Sequence, residues 1–340
     1  MVQPIAIAGT GLVTSVGLSG PAACAAIRAR VTNPIETRFV PAGGEPIVGH
    51  SVPLEKPWRG LPKHVKMAAM AIVECLEGVE RDEWAQVPLL LCVAETDRPG
   101  RLPGLDDQLV QDLQEQLAGR FANDSAIVPH GRVSVAIALQ QARRLIHERD
   151  VPRVLLAAVD SLLMWPTLSV YERQDRLLTN RNSNGFLPGE AAGAVLLTRP
   201  GGGPELLCTG IGFGVEPCRI DSEEPLRADG LTQAIKAALV DADCQLHDLD
   251  FRITDISGEQ YYFKEAALAL GRVLRTRKER LDLWHAAEYV GEVGAAAGAA
   301  ALVVADVACR KAYAPGRHIL AHMANDDGQR AAAVLHFGAA

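Results

Sequence analysis

An order of segments that occurs twice constrains this chain more than any other feature. Ile5-Ala-Ile-Ala8 is a short strand pattern running into Gly9-Thr-Gly11, and residues 206–214 form a second strand pattern that again ends in Gly-x-Gly. Helical and strand patterns follow each of them in matching order. In the first half, helical spacing covers 21–29 and 63–76, and the apolar run 89–94 suits a buried strand. A helix with an unusually apolar first part covers 133–147, a buried strand 154–159, and a turn at 186–193 enters another strand. In the second half come a helix at 231–241, a strand at 251–256, a helix at 262–275 and a small-residue helix at 292–309, then strands at 318–322 and 331–337. Arg199-Pro-Gly-Gly-Gly-Pro204 lies between the halves and reads as a linker. The repetition predicts a layered α/β fold of two pseudo-duplicated halves, residues 1–199 and 204–340, joined in one unit. The helices starting near Arg132 and Glu292 are expected between two sheets, where Ala and Gly let the layers approach closely.

Several function classes are set aside by what the sequence lacks. The glycines after the first strand arrive as Gly9, Gly11 and Gly17, so the third is too late for a dinucleotide-binding turn. The seven cysteines are scattered, odd in number and never spaced as Cys-x-x-Cys, which points to reduced, mostly buried thiols and to neither a disulfide framework nor a zinc site. No metal and no cofactor is expected. A net charge of -7 without a basic, aromatic-laced stripe argues against nucleic acid. No apolar run reaches the roughly 20 residues that cross a bilayer, and no signal peptide precedes Ile5, so a cytoplasmic protein off the membrane is expected.

Three segments then carry a family likeness. Ile7-Ala-Gly-Thr-Gly-Leu-Val-Thr-Ser-Val-Gly17, Asn184-Gly-Phe-Leu-Pro-Gly-Glu-Ala-Ala-Gly193 and Gly291-Glu-Val-Gly-Ala-Ala-Ala-Gly298 occur in this order. They are similar to the opening strand, the Asp-Gly-Phe-x-x-Gly-Glu-Gly-Ala-Gly motif and the Gly-His-x-x-Gly-Ala-Ala-Gly motif of the β-ketoacyl-acyl-carrier-protein synthases. The resemblance covers nearly the whole chain and implies the thiolase fold. The chain is shorter than typical condensing members, and the loss is placed in 97–123 and 163–184, which in that family shape the acyl pocket and dimer surface.

The family's chemistry uses a cysteine at the N-terminus of the first buried helix, where free N–H groups and the helix dipole favour a thiolate. Two histidines assist decarboxylation and stabilise the enolate, and a lysine supports them. By that resemblance the cysteine position falls at Arg132, the first histidine at Ser257, the second at Glu292 and the lysine at Ala287. No cysteine lies between Cys92 and Cys208, so no shift of register restores one. The gating Gly-Phe-Gly-Gly-Thr-Asn loop is replaced by Asn325-Asp-Asp-Gly-Gln-Arg330. No catalytic residue is therefore expected. Two substitutes are weighed: His130 as a displaced base, against a place in the turn after Pro129, and Ser134 as a nucleophile, against a packing role.

Other polar residues have plain readings. His285 belongs to a surface or strand end, while His318 and His322 alternate on one strand without a metal set. Glu190 is expected to accept backbone N–H bonds in a tight turn, and Asp221-Ser-Glu-Glu224 to be a solvated loop. Cys24, Cys75 and Cys309 read as core. Arg132 and Glu292 are expected either to face each other as an ion pair plugging the old site, since an isolated buried charge costs several kcal/mol, or to turn to solvent.

Three functions remain open at this point. The favoured one is a catalytically degenerate synthase-like protein that binds other molecules as an accessory subunit, chaperone or adaptor, with acyl carrier protein, an active synthase or a secreted effector as partner. The second is an active acyltransferase with relocated groups, and the third a protein that sequesters an acyl chain. The resemblance also implies a homodimer, paired through 154–159 as an edge strand.

Overall fold

The computed structural model describes residues 3–41 and 44–339. In chain order the first half runs β1 Ile5–Val13, α1 Gly20–Arg28, β2 Ile35–Glu36, β3 Val48–Gly49, α2 Gly60–Cys75, β4 Leu89–Cys92, α3 Gln108–Leu117, β5 Ala126–Val128, α4 Ser134–Glu148, β6 Arg153–Ser161, α5 Trp165–Arg173 and β7 Glu190–Thr198. The second runs β8 Glu205–Val215, α6 Asp229–Asp241, β9 Phe251–Thr254, α7 Gln260–Val273, β10 Asp282–His285, α8 Ala287–Val290, α9 Ala297–Arg310, β11 His318–Ala324 and β12 Gln329–Gly338.

The repeated order becomes a repeated topology. Strands β5-β4-β6-β7-β1 of the first half and β10-β9-β11-β12-β8 of the second lie in the same spatial order. In each set the first two pairings are parallel and the last two antiparallel. The two sets join through antiparallel β1 and β8, with Ile5, Ala6 and Ile7 opposite Cys208, Leu207 and Leu206. One core cluster packs α4 and α9 against strand residues from both halves, a second packs α2 and α3 on the first half, and a third packs α6 and α7 on the second. The result is the layered αβαβα arrangement that the sequence implies.

Glycine placement explains how the layers fit. A Cβ added at Gly11 would run into the backbone of α2 at Ala71, and one at Gly212 into α6 at Ala234. The Gly-x-Gly signature of each half thus lets a helix lie directly on its strand, a structural use in keeping with the rejected dinucleotide reading. At the centre, a Cβ on Gly298 would meet Val135 Cβ at 2.8 Å, and one on Gly193 would meet Ala299 Cβ at 2.9 Å. These contacts set how closely α9 can approach α4 and β7.

Two sequence expectations change. Strand β6 is hydrogen-bonded to β4 on one side and β7 on the other, so it is no edge and cannot extend a sheet across a dimer axis. The edge of that half is β5, whose Ala126 is exposed. The helix expected from 292 is also broken: α8 ends at Val290, Gly291 has φ 75°, a 3-10 turn spans Gly294–Ala296, and only then does α9 begin. The segments 97–123 and 163–184, for which no element is predicted, contain α3 and α5.

Candidate functional site

Two short turns build the centre of the molecule. Gly131–Val133 is a 3-10 turn leading into α4, and Gly294–Ala296 is its counterpart before α9. Gly131 (φ 55°) and Gly294 (φ 54°) open them in the left-handed region that favours glycine. The capping is reciprocal between halves. Asp160, near the end of β6, accepts the Ala295 N–H at 2.8 Å, while Asn325, just after β11, accepts the Val133 N–H at 3.4 Å.

Arg132 is the second residue of its turn and only 9% exposed. Its guanidinium donates to Asp326 Oδ1 at 2.6 Å, to the Tyr262 hydroxyl at 2.8 Å and to Glu292 Oε2 at 3.3 Å, and lies 3.9 Å from Asp255. Glu292 is pinned from both ends. Its backbone bridges to Leu187 and Gly189 at 2.8 Å each, and its Oε1 accepts the Gly294 N–H at 2.9 Å. The carboxylate therefore caps the 3-10 turn although the residue lies outside the helix. Arg132 and Glu292 do face each other, but they are not equivalent positions of the repeat: the counterpart of Arg132 is Ala295.

The cluster extends well beyond this pair. Arg176 binds Glu259 through two nitrogens at 2.7 and 2.8 Å and Asp326 at 2.6 Å. Arg98 is paired with Asp160 and lies 3.7 Å from Glu95. Three guanidiniums, Arg98, Arg132 and Arg176, thus face six carboxyls: Glu95, Asp160, Asp255, Glu259, Glu292 and Asp326. The imbalance shows in the acidities. Burial pushes Glu292, Asp255 and Glu95 above the ordinary carboxylate range, and the shared Arg132 only partly offsets this for the first two. Burial would raise Asp326 too, but Arg132 and Arg176 outweigh it and hold that carboxyl far below its usual range. Arg132 stays charged, because Tyr262, Glu292, Asp326 and Asp255 outweigh its desolvation.

Little empty space is left among these groups. The cavity bounded by Arg98, Arg132, Leu162, Phe186, Glu292 and Asp326 holds about 20 Å³. That is room for about one water molecule, against roughly 300 Å³ or more for a small-molecule pocket. Outside it lies a vestibule of about 530 Å³ lined by Asp97, Asp175, Asp221 and Asp327 with Arg176 and Tyr261.

The remaining candidates fall outside the cluster or at its margin. Ser257 follows β9 beside Glu292, its Oγ buried with no well-aligned hydrogen bond. Ala287 opens α8, half-buried, with its carbonyl accepting the Gly291 N–H. His130 uses its backbone, donating N–H to Ser134 Oγ at 3.0 Å and accepting from Asn325 at 2.8 Å. Ser134 donates to the Val128 carbonyl at 2.9 Å, so its hydroxyl is engaged in the helix entry. His285 ends β10 against Phe263. His322 is buried and meets the Thr254 hydroxyl at 3.2 Å, while His318 is exposed beside Asp250. Among the described residues no group of three or more His, Cys, Asp or Glu side chains could hold a metal ion. All seven cysteines are free and only Cys244 is not buried.

Glu190 departs from its expected role. It opens β7 instead of sitting in a turn, and accepts one backbone N–H, from Val52 at 2.8 Å, together with the Ser51 and Ser161 hydroxyls and the Lys63 ammonium. Asp221 does lie in an exposed loop, at the rim of the vestibule. Sequence reading missed Arg98, Asp160, Arg176, Glu259, Tyr262 and Asp326. The one available signal was Asp326 itself, an acidic residue in the loop where the family has a gating phenylalanine.

No protein-family model matches the sequence, and no curated relative does. Solved structures do match. The ishigamide ketosynthase/chain length factor has a TM-score of 0.78 at 17% identity, over 99% of this chain and 100% of that one. A type II polyketide ketosynthase bound to a hexaketide, in complex with its acyl-carrier protein (AntDE:AntF), has a TM-score of 0.82 at 14% identity, over 99% and 100%. A ketosynthase in complex with its chain length factor from Xenorhabdus doucetiae has a TM-score of 0.77 at 14% identity, over 99% and 98%. At these identities the likeness shows the fold alone: the chain shares the thiolase-like fold of these ketosynthase and chain length factor structures.

Proposed function

We propose that this chain is a catalytically silent ketosynthase-like protein that works by binding a partner, with residues 1–199 and 204–340 as the two halves of one scaffold. One observation carries the reading: the nucleophile position implied by the resemblance is held by Arg132, locked by Glu292, Tyr262 and Asp326 around a cavity of about 20 Å³. A guanidinium cannot attack a thioester, and Ser257, Ala287 and Glu292 offer no imidazole or ammonium to assist decarboxylation. An acyl chain has no room beside them.

One structural neighbour is a ketosynthase in complex with its chain length factor, and another is a ketosynthase in complex with its acyl-carrier protein. On that analogy the partner is an active ketosynthase or a carrier protein, with pairing through the free edge of β5 in place of β6. A second copy of the chain would use the same edge. Burial of six of the seven thiols, none of them in a disulfide, supports a reducing compartment such as the cytoplasm. Affinity purification from the native host tests this. Co-purification of one stoichiometric ketosynthase or carrier protein is expected. A chain that purifies alone and itself releases carbon dioxide from a malonyl carrier would refute the reading.

A further inference from the structure

A second cavity, of about 550 Å³, lies between the segment 35–39, the N-terminal end of α2 and the start of α5. Apart from the Arg132 cluster in its lining, it is large enough for a small molecule. Its walls are aromatic. Phe39 and Trp165 stack at 6.3 Å between ring centroids and 20° between planes, and Trp58 faces the same space. Trp165 is 45% exposed at the mouth of this groove, stacked on Phe39 and beside Trp58, so the exposed apolar surface here belongs to an aromatic cluster.

The polar groups divide between rim and floor. Arg38, Lys56 and Arg59 stand on the rim, exposed, and none has a carboxylate within 4.0 Å among the described residues. Two acids stand near them, Glu36 and Glu55, the latter 3.6 Å from Lys66, while Glu190 on the floor is paired with Lys63, so cations outnumber free carboxylates at the rim. The rim is therefore positive on a chain whose net charge is -7. Arg38 lies 4.9 Å above the Phe39 ring and Lys56 5.9 Å from the Trp58 ring, so cations and ring faces are already juxtaposed. At the floor, His64 is 1% exposed and its Nδ1 donates to the Gly60 carbonyl at 2.9 Å. The indole N–H of Trp58 is buried without a well-aligned hydrogen bond, with the Glu55 carboxylate beside it.

We propose that this groove binds a small amphipathic anion, its flat apolar body against Phe39, Trp58 and Trp165 and its carboxylate or phosphate on Arg38, Lys56 and Arg59. The site is separate from the silent centre and stands whether or not the chain has a ketosynthase partner. Association is reversible and makes no covalent bond. The aromatic wall supplies affinity by burial and stacking, and the unpaired rim cations supply the choice of sign.

Calorimetric titration of the full chain with 2-naphthoate, 2-naphthylmethanol and 2-naphthylmethylammonium tests it. The acid is expected to bind at one per chain and about tenfold or more tighter than the alcohol, with the ammonium weakest. Trp165→Ala and the double variant Arg38→Gln/Lys56→Gln should each weaken the acid about tenfold with the circular dichroism spectrum unchanged, since all three side chains are on the surface. Asp175→Asn, in the vestibule, should change nothing. Equal binding of the three probes, loss of affinity in Asp175→Asn but not in the groove variants, or no binding of the acid up to about 1 mM would overturn the proposal.

Discussion

Replacing Arg132 by methionine removes the cation at the centre of the molecule while keeping the length and apolar stem of the side chain. Asp326 retains Arg176 at 2.6 Å, so the change falls on Glu292 and Asp255, each of which has Arg132 as its one cationic partner among the described residues. Leaving buried carboxylates uncompensated costs about 3–5 kcal/mol. At about 2 °C per kcal/mol for a chain of this size, the melting temperature should fall by roughly 6–10 °C at pH 8. The pH dependence identifies the cause. Burial already raises both carboxyls above the ordinary range, and loss of Arg132 raises them further, so the folded state binds more protons than the unfolded one. Stability is then lost as pH rises from the unfolded value of about 4 through the raised folded values, and the deficit of Arg132→Met must shrink on acidification. Calorimetric melts at pH 5 and pH 8, for the wild type, Arg132→Met and Arg132→Met/Glu292→Gln, check this. The double variant should recover part of the loss. A single variant within about 1 kcal/mol of wild type at pH 8, or a deficit that widens in acid, would refute the electrostatic account.

Other consequences are independent of that pair. Burial pushes Cys24 and Cys208 up to about 12 and Cys244 and Cys309 up to about 11, so these four thiols should alkylate with iodoacetamide at pH 8 at least about a hundredfold slower than after denaturation. Cys244, the half-exposed one, should react first of the four, and fast alkylation of Cys24, Cys208 or Cys309 would contradict the structure. His50 and His322 are held neutral by burial, lowered to about 4 and about 3. Their unfolded value is about 6.5, so each stabilises fully above that pH and withdraws up to about 1.4 kcal/mol per pH unit below it. His322→Asn should flatten the acid limb of a urea-denaturation series, and an unchanged limb would exclude that assignment. Gly298→Val places a side chain where a Cβ alone meets Val135 at 2.8 Å and should destabilise by about 1–3 kcal/mol or more in the same assay.

The sequence discloses elements whose burial is uniform or periodic, and conceals those defined by distant partners. Strand β6 is buried along nearly its whole length, and α2 follows its apolar period, so both stand out in the residue pattern. The same apolar run that reveals β6 cannot tell an edge from an interior strand, because neighbours, not composition, decide that. The helix expected from 292 began too early because Gly, Glu, Val and Ala suit an extended bridge and a 3-10 turn as readily as a helix; the bridge to Leu187 and Gly189 settles it. Helices α3 and α5 lie in segments for which no element is predicted from the sequence. The Arg132–Glu292 contact was legible because two motif positions had exchanged their chemistry. Arg98, Arg176 and Tyr262 were not, since each lies in a segment without a motif and acquires its meaning only from carboxylates or cations far away in the chain.

Catalytic silence is tested most directly by intact-protein mass spectrometry combined with a malonyl-decarboxylation assay, using acyl and malonyl carrier thioesters on the full chain. An unmodified mass and carbon dioxide release no faster than without protein are expected, for the wild type and for Ser134→Ala and His130→Ala alike. A stoichiometric acyl adduct on any side chain, with release that either substitution abolishes, would contradict it.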